Sequence, residues 1–210
     1  KPEYLNSEYR FKLLTKKLSE EIESNAVICL QEVSMEWAGR LHTFFAQNNY
    51  RFVTALYGRF FNGYMGVATA WPDEKFELLS TNIKKVGETV RFAYPPRPTT
   101  FQKAWELSMD CVPPIVQRLL TSVGLNPKRQ PDDFDEAFRR QNEVILAHLR
   151  VRGSPNNGFW IGNYHMPCMF QRPSVMMIHA ALVAQYLQQI AGSNPHILVG
   201  TQLKDSYDIR

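Results

Sequence analysis

The strongest constraint on what this chain can fold into is the run Val27-Ile28-Cys29-Leu30-Gln31-Glu32-Val33, in which four consecutive apolar residues lead into a polar pair. Such a run reads as a buried strand, and the residues that follow, Met35, Trp37, Leu41, Phe44 and Phe45, switch to helical spacing. Glu32 therefore stands at a strand-to-helix corner. In open α/β folds ligands gather at the carboxyl ends of strands, so this is where a carboxylate would hold a divalent metal. The same position also suits a helix-capping or solvated acid.

The rest of the chain is organised around that corner. Phe11, Leu14, Leu18 and Ile22 recur at helical steps, which predicts an amphipathic helix over 7 to 24 started by Ser7, leading into a strand at 26 to 31. A second helix is expected over about 34 to 48. Strands follow at 51 to 57 and 64 to 71, with Asn62-Gly63 as a hairpin turn between them. Residues 75 to 86 continue as a strand pair or extended segment. From about 92 to 140 the pattern becomes a helical insertion punctuated by Pro95, Pro96, Pro98, Pro113 and Pro114. It reads either as structural cover for one edge of the core or as a lid beside the site. Strands return at 144 to 149 and 159 to 162. A helix over 174 to 191 places Val175, Ile178, Leu182, Tyr186 and Ile190 on one side, and Ile197-Leu198-Val199 is a last buried strand before a polar, irregular ending.

This order, a helix, a strand, a helix and then a meander, argues for mixed sheets with helices outside. A length of 210 residues with 44% hydrophobic content suits one domain over 1 to 210. The net charge of +4 mildly favours an anionic partner, nucleic acid or a phospholipid headgroup, without choosing between them. Cys29, Cys111 and Cys168 lie far apart and match neither a disulfide framework nor a zinc spacing. No apolar run approaches the roughly 20 residues that span a bilayer, and no signal peptide opens the chain. A soluble, intracellular protein, cytoplasmic or nuclear, is the expectation.

The second informative stretch is Gly162-Asn163-Tyr164-His165-Met166-Pro167. Residues two apart on a strand share a face, so Asn163 and His165 are expected to point into one site. In phosphodiester cleavage such groups hydrogen-bond a non-bridging oxygen or help protonate the leaving oxygen as charge builds. A lone histidine beside a strand is otherwise structural or exposed.

Taken together, Leu30-Gln31-Glu32-Val33 after an apolar strand, and Asn163-Tyr164-His165 after another with an amphipathic helix behind it, resemble the endonuclease/exonuclease/phosphatase superfamily. The entry Arg140-Gln141-Asn142 to the intervening strand looks like its deadenylase-type branch. The resemblance is strongest over 26 to 33 and 158 to 200, and weakest over 92 to 139. It implies a four-layered α/β (α+β) sandwich of two sheets flanked by helices. It also implies Glu32 as the ligand of Mg2+ or Mn2+, His165 and Asn163 as catalytic groups across the site, and Arg140 and Asn142 as phosphate contacts.

The implied activity is a metal-dependent phosphodiesterase that hydrolyses nucleic acid by metal-activated water. The same catalytic set also serves phosphatases and phosphodiesterases of phospholipid headgroups or small phosphorylated molecules. Three of the superfamily's elements have no counterpart in the sequence: the Gly-Asp-x-Asn loop, where Thr201 and Gln202 follow Gly200, the first-strand Asn, and the terminal Asp-His. Either a stretch of the parent protein is missing between Gly200 and Thr201, or the chain is a catalytically inactive binding module of the same fold.

Overall fold

A computed structural model describes residues 5–90, 113, 115–116, 132–154, 156 and 158–200. Helix α1 spans Ser7–Glu23, and its N-cap is Asn6 rather than Ser7: the Asn6 side chain accepts from the Glu8 and Tyr9 amides at 2.8 and 3.2 Å. Strand β1, Ile28–Val33, leads into α2, Met35–Gln47, which Ser34 caps by accepting from the Trp37 amide at 3.3 Å. Strands β2, Tyr50–Leu56, and β3, Gly66–Pro72, pair antiparallel, and β3 also pairs with β1, so the first sheet runs β1-β3-β2. The expected two-residue turn at Asn62-Gly63 is the far end of a longer loop, in which Phe60–Asn62 make a 3-10 turn and Gly63 takes a left-handed φ of 63°.

Residues 75 to 86 give one strand, β4, Phe76–Lys85, not a pair. With β5, Glu143–Val151, β6, Gly158–Tyr164, and β7, His196–Gly200, it forms the second sheet in the order β4-β5-β6-β7, antiparallel except for the parallel β6–β7 pair. Helix α3, Asp133–Arg139, precedes β5, and α4, Pro173–Ala191, crosses from β6 to β7. Most of the predicted insertion, with its prolines 95, 96, 98 and 114, lies outside the described residues, as does the ending from 201 to 210.

Alternation sorts the side chains into four layers, helices on sheet on sheet on helices, the α+β sandwich that the sequence leads one to expect. Ile28, Leu41, Phe45, Ala68 and Ala70 form the core between α1, α2 and the first sheet, where Phe45 stacks on Tyr50 and Phe52. Between the sheets lie Val67, Trp71, Phe76, Ile145, Ala147, Leu149 and Ile161. Behind the second sheet, Val144, Leu146, Trp160 and Tyr164 pack on Met176, Val183 and Leu187 of α4. The last strand departs from expectation: Ile197 is 57% exposed and Leu198 38%. Among the described residues β7 pairs on one side only, so its apolar composition does not translate into burial there. Among the described residues no helix is long and apolar enough to cross a membrane.

Candidate active site

Glu32 interrupts the alternation of β1. Ile28 and Leu30 face the helices, and unbroken alternation would place residue 32 beside them. A bulge between Gln31 and Val33 inserts Glu32 as an extra residue, and Val33 takes the helix-facing position instead. The bulged residue has φ 57°, in the left-handed region that side chains other than Gly, Asn and Asp rarely adopt. Its carboxylate swings out of the sheet to the end of the sandwich, with 64% of the side chain exposed. Strained backbone of this kind collects at functional positions.

His165 comes from the other sheet, directly after the last residue of β6. Its Nε2 lies 3.7 Å from Glu32 Oε1, an electrostatic contact too long for a hydrogen bond. Asn142 holds the segment that bears it, its Nδ2 donating to the His165 carbonyl at 2.9 Å. Gln31 braces the same junction, donating from Nε2 to the Tyr164 carbonyl at 3.2 Å.

Asn163 shares the inter-sheet face with His165 but lies deeper and is fully buried. Its amide donates to the carbonyls of Ala68 and Leu30 at 2.7 and 3.2 Å, so it ties β6 to the first sheet, while its Oδ1 has no hydrogen-bond partner among the described residues. The structure thus brings Glu32, His165, Arg140 and Asn142 to one cleft and sets Asn163 in the layer beneath.

The cleft has a volume of about 510 Å3. Part of its wall comes from residues that sequence reasoning missed, among them Tyr57, Arg59 and Phe61 from the loop between β2 and β3, and Arg139 at the end of α3. The glycine-bracketed stretch Gly58-Arg59-Phe60-Phe61-Asn62-Gly63 carried a signal, two aromatics and a cation on a constrained turn, that a two-residue hairpin reading conceals.

Arg140 is anchored by Glu136 and by the Met169 sulfur, whereas Arg59 and Arg139 make no ion pair among the described residues. Burial pushes the Tyr57 hydroxyl up to about 12, with the Asn142 side chain pulling it down and Glu143, Glu32 and Cys168 pushing it further up. It stays a neutral donor over the whole physiological range, and among the described residues no acceptor is aligned with it.

The donor set suits a hard divalent cation. Mg2+ is commonly held by one or two carboxylates, with water and substrate phosphate filling the remaining positions, and Glu32 is an exposed carboxylate facing a cleft that admits both. Among the described residues no group of three His, Cys, Asp or Glu side chains gathers into a closed cage. Burial pushes the thiol of Cys29, a half-buried residue of β1, up to about 11, with the Thr69 side chain pulling the other way.

No protein-family model matches the chain, and no curated protein matches it in sequence. Solved structures do match in fold. ANGEL2, a 2',3'-cyclic phosphatase solved with adenosine-2',3'-vanadate, superposes with a TM-score of 0.62 at 18% identity over 93% of this chain and 44% of its own. The human Nocturnin catalytic domain with bound sulfate gives 0.60 at 14% over 93% and 57%. A mannosyl-6-phosphatase from Bacteroides thetaiotaomicron gives 0.57 at 14% over 95% and 60%. The chain therefore spans about half the length of the structures it resembles. An endonuclease/exonuclease/phosphatase protein from Bacteroides vulgatus, at a TM-score of 0.57 and 13% identity, matches over 93% of this chain and 57% of its own. By its two-sheet sandwich and these neighbours, the chain carries the endonuclease/exonuclease/phosphatase fold.

Proposed function

We propose that this chain forms the substrate-facing part of a metal-dependent phosphoester hydrolase whose substrate is nucleic acid. The observation that carries the reading is the meeting of Glu32 and His165, one from each sheet, at 3.7 Å in a cleft walled by Arg59, Arg139 and Arg140. Two neighbours of the same fold are a 2',3'-cyclic phosphatase and a mannosyl-6-phosphatase, which supports a phosphoester substrate.

Glu32 would hold Mg2+ or Mn2+, which when bound supplies charge neutralisation at phosphate and an activated water. His165 hydrogen-bonds a phosphate oxygen and passes a proton to the leaving oxygen. Arg59 and Arg139 attract the backbone phosphates, and Arg140, with its fork already engaged by Glu136, adds fixed positive field. Asn142 and Asn163 are positioning residues: the first holds the His165 backbone, the second the spacing between the sheets.

A substrate panel tests the reading. The full-length protein with Mg2+ is expected to cleave single-stranded RNA or DNA, and to lose that cleavage on chelation. Hydrolysis of phosphoinositide or sphingomyelin with no cleavage of either nucleic acid would replace nucleic acid by a lipid or small phosphoester. Turnover of none of them would leave a binding module.

A further inference from the structure

We propose that Phe61, supported by Phe60, is a stacking platform for an unpaired base of single-stranded nucleic acid whose backbone enters the cleft. The inference rests on the functional reading above and adds a binding residue to it. Phe60 and Phe61 are 83% and 82% exposed, the most exposed pair of adjacent aromatics among the described residues. Phe61 lines the same cleft as Glu32 and His165. The exposed apolar residues of β4 and β7, such as Ile83 and Ile197, line no part of it.

The exposure is built into the loop. Asn62 Oδ1 accepts from the Arg59 amide at 2.8 Å, and the Asn62 amide donates to the Arg59 carbonyl at 3.0 Å, closing the turn that carries both rings. Gly58 permits the close crossing beneath them, because a Cβ there would fall 2.5 Å from Asn62 Oδ1 and 2.6 Å from the Met65 nitrogen. The Met35 amide donates to the Gly63 carbonyl at 2.9 Å, which fastens the loop to the start of α2, directly beyond Glu32. Phe60 meets Tyr64 edge-on at 6.4 Å. The turn thus fixes the backbone that carries both rings at the mouth of the cleft.

A ring on the wall of a cationic cleft suits a base stacked while its phosphates run past Arg59 and Arg139. Any base offers a π face, so the platform is tolerant of sequence. A bilayer would ask for an unbroken apolar tip, whereas Phe61 shares its wall with Glu32, Arg59 and Asn62.

The test compares two probes by fluorescence anisotropy on the full chain: a labelled phosphorothioate oligoadenylate, and an abasic oligomer of equal length. Phe61→Ala is expected to weaken oligoadenylate binding by about tenfold and to leave abasic binding unchanged, with Phe61→Trp restoring it. Both substitutions are on an exposed ring, and an unchanged circular dichroism spectrum confirms the fold. Oligoadenylate binding unaltered by Phe61→Ala overturns the platform while leaving the nuclease reading standing, as does equal weakening of both probes. A wild-type protein that hydrolyses lipid phosphoesters and binds neither probe overturns both readings. Loss of binding to phosphatidylserine vesicles in the Phe60→Ala, Phe61→Ala double variant, with oligoadenylate binding intact, assigns the rings to a membrane and overturns the platform.

Discussion

Glu32 occupies its left-handed backbone at a cost that a glycine would not meet. Glu32→Gln is expected to abolish metal-dependent cleavage in the full-length protein with no change in melting temperature. Glu32→Gly should abolish it equally while raising stability by up to about 1 kcal/mol in urea unfolding, because it removes the side-chain clash at that φ. A loss of stability in the glycine variant would show that the carboxylate contributes to the fold. Sequence reasoning reached Glu32 and His165 because each follows an apolar strand, but nothing in the letters marks the bulge that aims Glu32.

A second residue-scale effect belongs to His179, fully buried on α4. Its Nδ1 accepts from the Tyr164 hydroxyl at 2.7 Å, and its Nε2 donates to the Ala137 carbonyl at 2.7 Å. Burial, partly opposed by the Ala137 carbonyl and reinforced by Arg140, holds its pKa below the usual 6.5. The native ring stays neutral where the unfolded chain takes up a proton. The associated stability is therefore complete above pH 6.5 and is lost as pH falls through the depressed native value. His148, lowered by burial and by Arg150, contributes with the same sign. Urea midpoints are expected to fall on acidification below about pH 6.5, and less so in a His179→Gln variant.

At the scale of elements, the apolar periodicities located the two longest helices and most strands of the described residues to within a few positions, because each buries a face that its spacing advertises, whereas 75 to 86 proved to be one strand rather than a pair. The exceptions have local causes. The loop between β2 and β3 hid behind a familiar turn dipeptide, and β7 is exposed because strand composition does not report position within a sheet. Where β3 begins, Gly66 lies against β2: a Cβ there would fall 1.8 Å from the Ala55 carbonyl oxygen. Gly66→Ala should therefore destabilise the protein by about 3 kcal/mol or more, measured by urea unfolding. A loss under 1 kcal/mol would mean that the two strands separate there without penalty.

For the whole molecule, the decisive fact is that no single sheet contains the candidate site. Which sheet faces which, and how far apart, depends on contacts between residues distant in sequence, so the cleft wall from Tyr57 to Arg139 was not legible while the layers were. Asn163 is a fully buried polar group that spans the gap, as Gln31 does nearer its edge, and Asn163→Ala removes its bonds to the Ala68 and Leu30 carbonyls. A loss of about 2 kcal/mol is expected in chemical unfolding, with weakened Mg2+ binding alongside it; unchanged values would remove Asn163 from the support of the site. Glu32 and His165 also face each other across a joint filled only by side chains such as Val67, Ile145 and Ala147. Those packing residues act as shims: their sizes set the bite of the jaws, so the separation of Glu32 and His165 is tuned from a layer that lines no part of the cleft.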